Sequence, residues 1–140
     1  MDKKEVIVDY TGGMSFEGHI DNHSIQIDAK SSVGGEDLGP TPKPLLLISL
    51  AGCTGMDVVS LLKKMRQSYD TFKLKVTGEL TEEHPKYYHT VNVDYYFSGA
   101  NVDEKKCRRA VQLSVEKYCG VMEMFRRFAK VETNTYFHNS

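Results

Sequence analysis

Alternating apolar and polar positions mark six stretches of this chain as strand, and one long stretch breaks the pattern. Val6, Val8 and Tyr10 share a face over residues 5–10, Thr11, Gly12 and Gly13 turn the chain, and residues 14–20 run back as the second arm of a hairpin. After a turn at Asp21 and Asn22, Ile25, Ile27 and Ala29 alternate with Gln26 and Asp28, which completes a three-strand meander. Residues 31–40, with Gly34, Gly35 and Gly39, read as a loop. Over residues 39–66 the alternation is lost: 45–50 is apolar on every side, and Val58, Val59, Leu61 and Leu62 again cover more than one face. The pattern predicts a long central helix with Thr41 as N-cap, Pro42 in its first turn, and Lys63, Lys64 and Arg66 at its negative end.

Alternation returns at Phe72, Leu74, Val76, Gly78 and Leu80, and a turn through His84 and Pro85 leads to a second strand over residues 87–98. Cys107, Ala110, Val111, Ser114, Val115 and Tyr118 then recur at three- and four-residue spacing, the single buried stripe of a second helix beginning near Asp103. Gly120 interrupts it, residues 121–128 form a short helical turn packing Met122, Met124, Phe125 and Phe128 on the core, and Val131, Thr133, Thr135 and Phe137 alternate as a last strand. The order βββαββα(α)β, with strands in antiparallel runs, defines an α+β class in a single domain over residues 1–140.

A helix apolar all round needs cover all round. Membrane insertion would place Asp57 near the bilayer centre at a cost of about 2.5–3.5 kcal/mol, so a second copy of the chain is the expected cover and the protein is expected to be an obligate homodimer. The 140 residues carry 18 basic and 19 acidic side chains, a formal net charge of −1. That balance leaves no electrostatic footprint for nucleic acid or an anionic membrane. Three cysteines, at 53, 107 and 119, make neither an even disulfide framework nor a short-spaced metal set, and no secretory signal opens the chain, so a reducing cytoplasm is expected. The five histidines show no ligand spacing, and there is no P-loop, G-x-G-x-x-G or G-x-S-x-G, so neither metal nor cofactor is expected.

Cys53 is the leading candidate for chemistry. Gly52 and Gly55 flank it, and mid-helix glycines, each costing about 1 kcal/mol against alanine, suggest a close approach to the backbone. It lies beyond the first helical turn, so any activation of its thiolate comes from elsewhere. Cys119, at the end of the second helix, is the weaker nucleophile, able to receive attack or close a disulfide, while Cys107 lies on the buried stripe as a core residue. Asp57 stands one turn after Cys53 and reads as a hydrogen-bonding or dimer-contact residue.

Gly39-Pro40-Thr41-Pro42, the run Leu50-Ala51-Gly52-Cys53-Thr54-Gly55-Met56-Asp57-Val58, and Val115-Glu116-Lys117-Tyr118-Cys119-Gly120-Val121 together resemble the OsmC/Ohr family of osmotically inducible and organic-hydroperoxide-resistance proteins, over nearly the whole chain. The Gly-Cys-Thr-x-x-Asp-Val pattern is most similar to its OsmC-like subgroup. The resemblance implies an intertwined α+β homodimer with antiparallel sheets around two long central helices. It further implies Cys53 as peroxidatic and Cys119 as resolving cysteine, no cofactor, and an external dithiol as reductant. Hydroperoxidases of the family carry an activating arginine after a Thr-Gly-Gly turn and a glutamate near the start of the central helix; the matching positions here are Met14 and Lys43. Two functions follow: a thiol-dependent peroxidase for organic hydroperoxides in an oxidative stress response, or a non-catalytic dimer binding an apolar small molecule at its interface, with structural or redox-sensing cysteines. A structural, chaperone-like dimer is a third.

Overall fold

A computed structural model describes residues 1–139. They divide into two compact units, one of Met1–Leu46 and one from Leu47 onward. In the first unit, β1 (Ile7–Gly12), β2 (Ser15–Ile20) and β3 (His23–Ile27) form the antiparallel meander. Gly12 and Gly13 turn the chain with φ of 108° and 57°, a region costly for side chains. Beyond β3 a short 3-10 turn (Ser31–Val33) opens a loop fastened by Asp28, whose carboxylate accepts from the backbone N–H groups of Ala29 (2.7 Å), Glu36 (3.2 Å) and Leu38 (3.2 Å). The loop lies so close to β3 that a Cβ on Gly35 would sit 2.0 Å from the Ala29 carbonyl oxygen.

The unit boundary falls within α1 (Pro42–Lys64), which closes through Arg66 in the left-handed region, φ 56°. Leu50, Thr54, Val58 and Leu62 form its buried stripe at four-residue spacing, whereas Leu46, Ile48, Met56 and Val59 are exposed. Among the described residues it is the one helix that length and composition would allow to cross a membrane. In the second unit β4 (Thr71–Leu80) pairs antiparallel with β5 (Tyr88–Ser98). The chain then runs through α2 (Glu104–Leu113), one π turn (Ser114–Tyr118) and α3 (Gly120–Arg126) to β6 (Lys130–His138). Asp103 caps α2 by accepting from Lys106 N–H at 3.1 Å.

The α+β class holds, with one correction to its antiparallel strands: β6 lies parallel to β5, from Thr90↔Lys130 to Ser98↔His138. A helical crossover is long enough to carry the chain back to the end where β5 began, which a hairpin cannot do. β5 is thereby central, and its Val91, Val93, Tyr95 and Phe97 are fully buried against Leu50, Val58 and Leu62 of α1 and Cys107, Ala110, Met122 and Phe125 of the crossover. The short α3 buries Met122 and Phe125 but leaves Met124 exposed, as is Phe128 in the turn that follows, so these two do not pack on the core as expected.

The Asp28 carboxyl feels burial, which raises its pKa, and the three N–H donors of Leu38, Ala29 and Glu36, which outweigh burial and hold it below the ordinary 3.8. A depressed folded pKa contributes stability above the unfolded value and loses it as pH falls through the folded one. The fastening should therefore persist to below pH 3.8 and then fail. Asp28→Asn, which loses the charge, should lower the hydrogen-exchange protection of the Ala29, Glu36 and Leu38 amides at neutral pH while leaving β4–β5 amides unchanged; equal protection in the variant would refute the role.

Candidate functional site

The site is built on a polar interruption of the apolar stripe of α1. Thr54, fully buried, shares hydrogen bonds of 2.7 Å with the Tyr95 hydroxyl of β5 and with Ser114 Oγ of the π turn, both also fully buried. Ser114 Oγ in turn lies 2.9 Å from Asp57 Oδ2, to which it donates. A buried hydroxyl without a partner costs about 1–3 kcal/mol, so each of these groups fixes the next. Cys53 precedes Thr54 on α1 and Asp57 follows Cys53 by one turn, so positioning Thr54 positions both.

Cys119 arrives from the crossover. Its N–H donates to the Ser114 carbonyl at 2.8 Å, the five-residue bond of a π turn, and its backbone then becomes extended, φ −79° and ψ 103°. Cys119 is therefore not simply the last residue of a helix with bare carbonyls around it, as its position in the sequence suggests. It caps α3, its Sγ accepting from Met122 N–H at 3.3 Å. Cys53 Sγ, Cys119 Sγ and an Asp57 carboxylate oxygen all lie within 4.8 Å of one another, Cys119 buried and Cys53 half-buried. These are three groups of metal-ligand type, although neither histidine nor cysteine spacing signals them, because Cys119 joins the other two only through the fold.

Burial, then the hydrogen bond from its sulfur to Cys53, pushes the Cys119 thiol up to about 12, with negative charge at Cys53 and Asp57 adding to the rise and Met122 N–H opposing it. Cys119 therefore keeps its proton through the neutral range. Burial likewise pushes Tyr95 to about 12 and, with Asp103 and Glu104 nearby, Cys107 to about 11. Cys107 is a buried core residue of α2. Of the two glycines beside Cys53, Gly55 admits Leu74, whose Cδ1 would be 3.2 Å from an added Cβ, while Gly52 faces open space. Both line a groove of about 750 Å³ with Ile48, Met56, Val59, Phe72 and Leu74. Met14 lies between β1 and β2 and Lys43 in the first turn of α1.

The fold and the paired sulfurs define an α+β protein with a dithiol centre set between its long helix and its crossover. Residues 34–134 match the OsmC-like protein family, and the chain belongs to that family. It is 33% identical over 130 residues to Protein YhfA of Escherichia coli K12, covering 92% of this chain and 93% of that one. A hypothetical protein from Aquifex aeolicus VF5 superposes with a TM-score of 0.88 at 32% identity, covering 100% of this chain and 99% of the other. The fold alone is shared with the organic hydroperoxide resistance protein OsmC of Legionella pneumophila, TM-score 0.71 at 13% identity over 97% of this chain and 98% of that one.

All three raised pKa values have the same sign: the folded chain holds protons that the unfolded chain releases, so their contribution is complete below about pH 9 and is lost as pH rises toward 12. The melting temperature should fall steadily above pH 9, and at pH 8 iodoacetamide should alkylate Cys53 at least about tenfold faster than Cys107 or Cys119, since only thiolates react and the two buried thiols stay protonated. Peptide mapping by mass spectrometry checks this; equal labelling of Cys107 or Cys119 in the folded protein would refute it.

Proposed function

We propose that the protein is a thiol-dependent peroxidase that reduces organic hydroperoxides through Cys53 and Cys119. The observation that carries this reading is the asymmetry of the pair: a half-buried sulfur able to meet substrate stands within 4.8 Å of a buried one that keeps its proton. The Cys53 thiolate attacks one peroxide oxygen, the O–O bond breaks, and the departing alkoxide takes a proton to leave as alcohol, with Cys53 oxidised to the sulfenic acid. Cys119 then attacks the sulfenic sulfur, its proton and the hydroxyl leave as water, and a disulfide forms. An external dithiol reduces that disulfide and is itself oxidised.

The apolar groove along α1 is lined by Gly52, the neighbour of Cys53, though by neither sulfur; an organic hydroperoxide lodged beside it would bury apolar area on binding that hydrogen peroxide lacks. The same groove and the exposed Ile48, Met56 and Val59 support a homodimer in which a second copy covers α1. Free thiols in this arrangement suit a reducing cytoplasm. The groove also favours a second reading, in which a dimer binds an apolar small molecule and the cysteines do no turnover.

Purified reduced protein should lose two thiols per chain to an organic hydroperoxide, faster than to hydrogen peroxide. Cys119→Ser should consume one equivalent and stop at sulfenic acid, and Cys53→Ser should consume none. Unchanged thiol counts would reject the peroxidase and leave the binding protein. Light scattering at low micromolar concentration should give twice the chain mass of 15.9 kDa, and a stable folded monomer would reject the dimer.

A further inference from the structure

We propose that the reduced protein holds one divalent ion of the zinc class between Cys53 Sγ, Cys119 Sγ and the Asp57 carboxylate. The three ligand atoms lie within 4.8 Å of one another. Tetrahedral coordination with Zn–S bonds of about 2.3 Å sets the sulfurs about 3.8 Å apart, so the cluster is of the right size to close on an ion with side-chain adjustment alone. Binding releases the Cys119 proton to solvent, and the two thiolates then presented select zinc-class ions over magnesium or calcium. Three protein ligands leave a fourth position open, and the half-buried Cys53 supplies the path of entry.

The surroundings of the ligands carry the argument further than proximity does. Metal-binding groups are held by outer hydrogen bonds, and two of the three ligands here, Cys119 and Asp57, have one. Met122 N–H donates to Cys119 Sγ at 3.3 Å, and Ser114 Oγ–H donates to Asp57 Oδ2 at 2.9 Å, leaving lone pairs on each acceptor. Ser114 is itself fixed by Thr54 at 2.7 Å. Cys53 and Asp57 are presented by successive turns of a single helix, the spacing that lets two side chains converge on one atom. The ion would also supply the positive charge that two sulfurs and a carboxylate otherwise lack from one another.

The test is a cobalt(II) titration of full-length, reduced, chelator-treated protein. It should yield one ion per chain, with thiolate-to-cobalt charge-transfer absorption and the intense d–d bands of a tetrahedral site, displaced one for one by zinc. Cys53→Ser and Cys119→Ser should each weaken binding at least about 100-fold, and Ser114→Ala about tenfold while keeping the charge-transfer band. Cys107→Ser should change nothing. Circular dichroism monitors folding, and a variant that fails to fold is replaced by wild-type protein alkylated at Cys53, which should lose the spectrum. Absence of charge-transfer absorption from the wild type, retention of full affinity in either the Cys53 or the Cys119 variant, or its loss in Cys107→Ser with folding intact, overturns the site. No peroxide enters the experiment, so it stands or falls apart from the peroxidase reading.

Discussion

A hydroxyl sealed in a hydrocarbon core must find partners, and Thr54 finds two. It sits in the stripe that α1 turns to the core, between the apolar Leu50 and Val58. In exchange for that place it ties α1 to β5 through Tyr95 and to the π turn through Ser114. Three elements far apart in sequence are thereby held in one register, and the residues beside Thr54 inherit that register. Sliding α1 by one turn would leave Tyr95, Thr54 and Ser114 all unpaired in the core, a loss of several kcal/mol against a total stability of about 5–15 kcal/mol. The network is thus both a structural clamp and the mount on which Cys53, Asp57 and Cys119 are carried.

The mount explains why the two sulfurs differ. Both belong to the same cluster, yet Cys119 lies buried at the junction of the π turn and α3, while Cys53 of α1 is only half-buried. Burial penalises a charge on Cys119, and the neighbouring anions penalise it again. Helix position alone would assign the same order of nucleophilicity, but for a different reason: unpaired carbonyls at a helix end. In the folded chain Met122 N–H meets that sulfur, which favours a thiolate, so desolvation and the Cys53–Asp57 charges, rather than the helix end, keep the proton in place.

Strand alternation and helix stripes made the order of elements legible, because every element in the second unit buries one face and periodicity records the buried face. What periodicity cannot record is direction. The parallel return of β6 depends on the length of the crossover and the end of the sheet it reaches, and the π turn is hidden because Ser114, Val115 and Tyr118 keep the sequence spacing of the α2 stripe, although the turn leaves Tyr118 exposed rather than buried as that spacing implies. Cys53 stood out through its type and flanking glycines, and Cys119 through its type and its place at the end of the second helix. Thr54, Ser114 and Tyr95 did not, since a threonine, a serine and a tyrosine on apolar faces each pass as packing residues. One signal was present: two polar residues, Thr54 and Ser114, occupy positions where their stripes are otherwise apolar, and a buried polar group implies a partner. Two such interruptions on separate helices are a reason to look for each other.

The same physics sets what the cluster can do. Two sulfurs and a carboxylate within 4.8 Å cannot all be charged without compensation. A proton on Cys119 relieves the charge in the resting chain. A bound cation relieves it by attraction, and a disulfide relieves it by removing both thiolates at once. Metal and disulfide exclude each other, because the electron pairs that would bind the ion are drawn into the S–S bond. A site of this kind therefore cannot hold the ion once its two sulfurs are joined. In the reduced chain Ser114 holds the carboxylate and Met122 the buried sulfur, so two of the three groups are already fixed in place before either event.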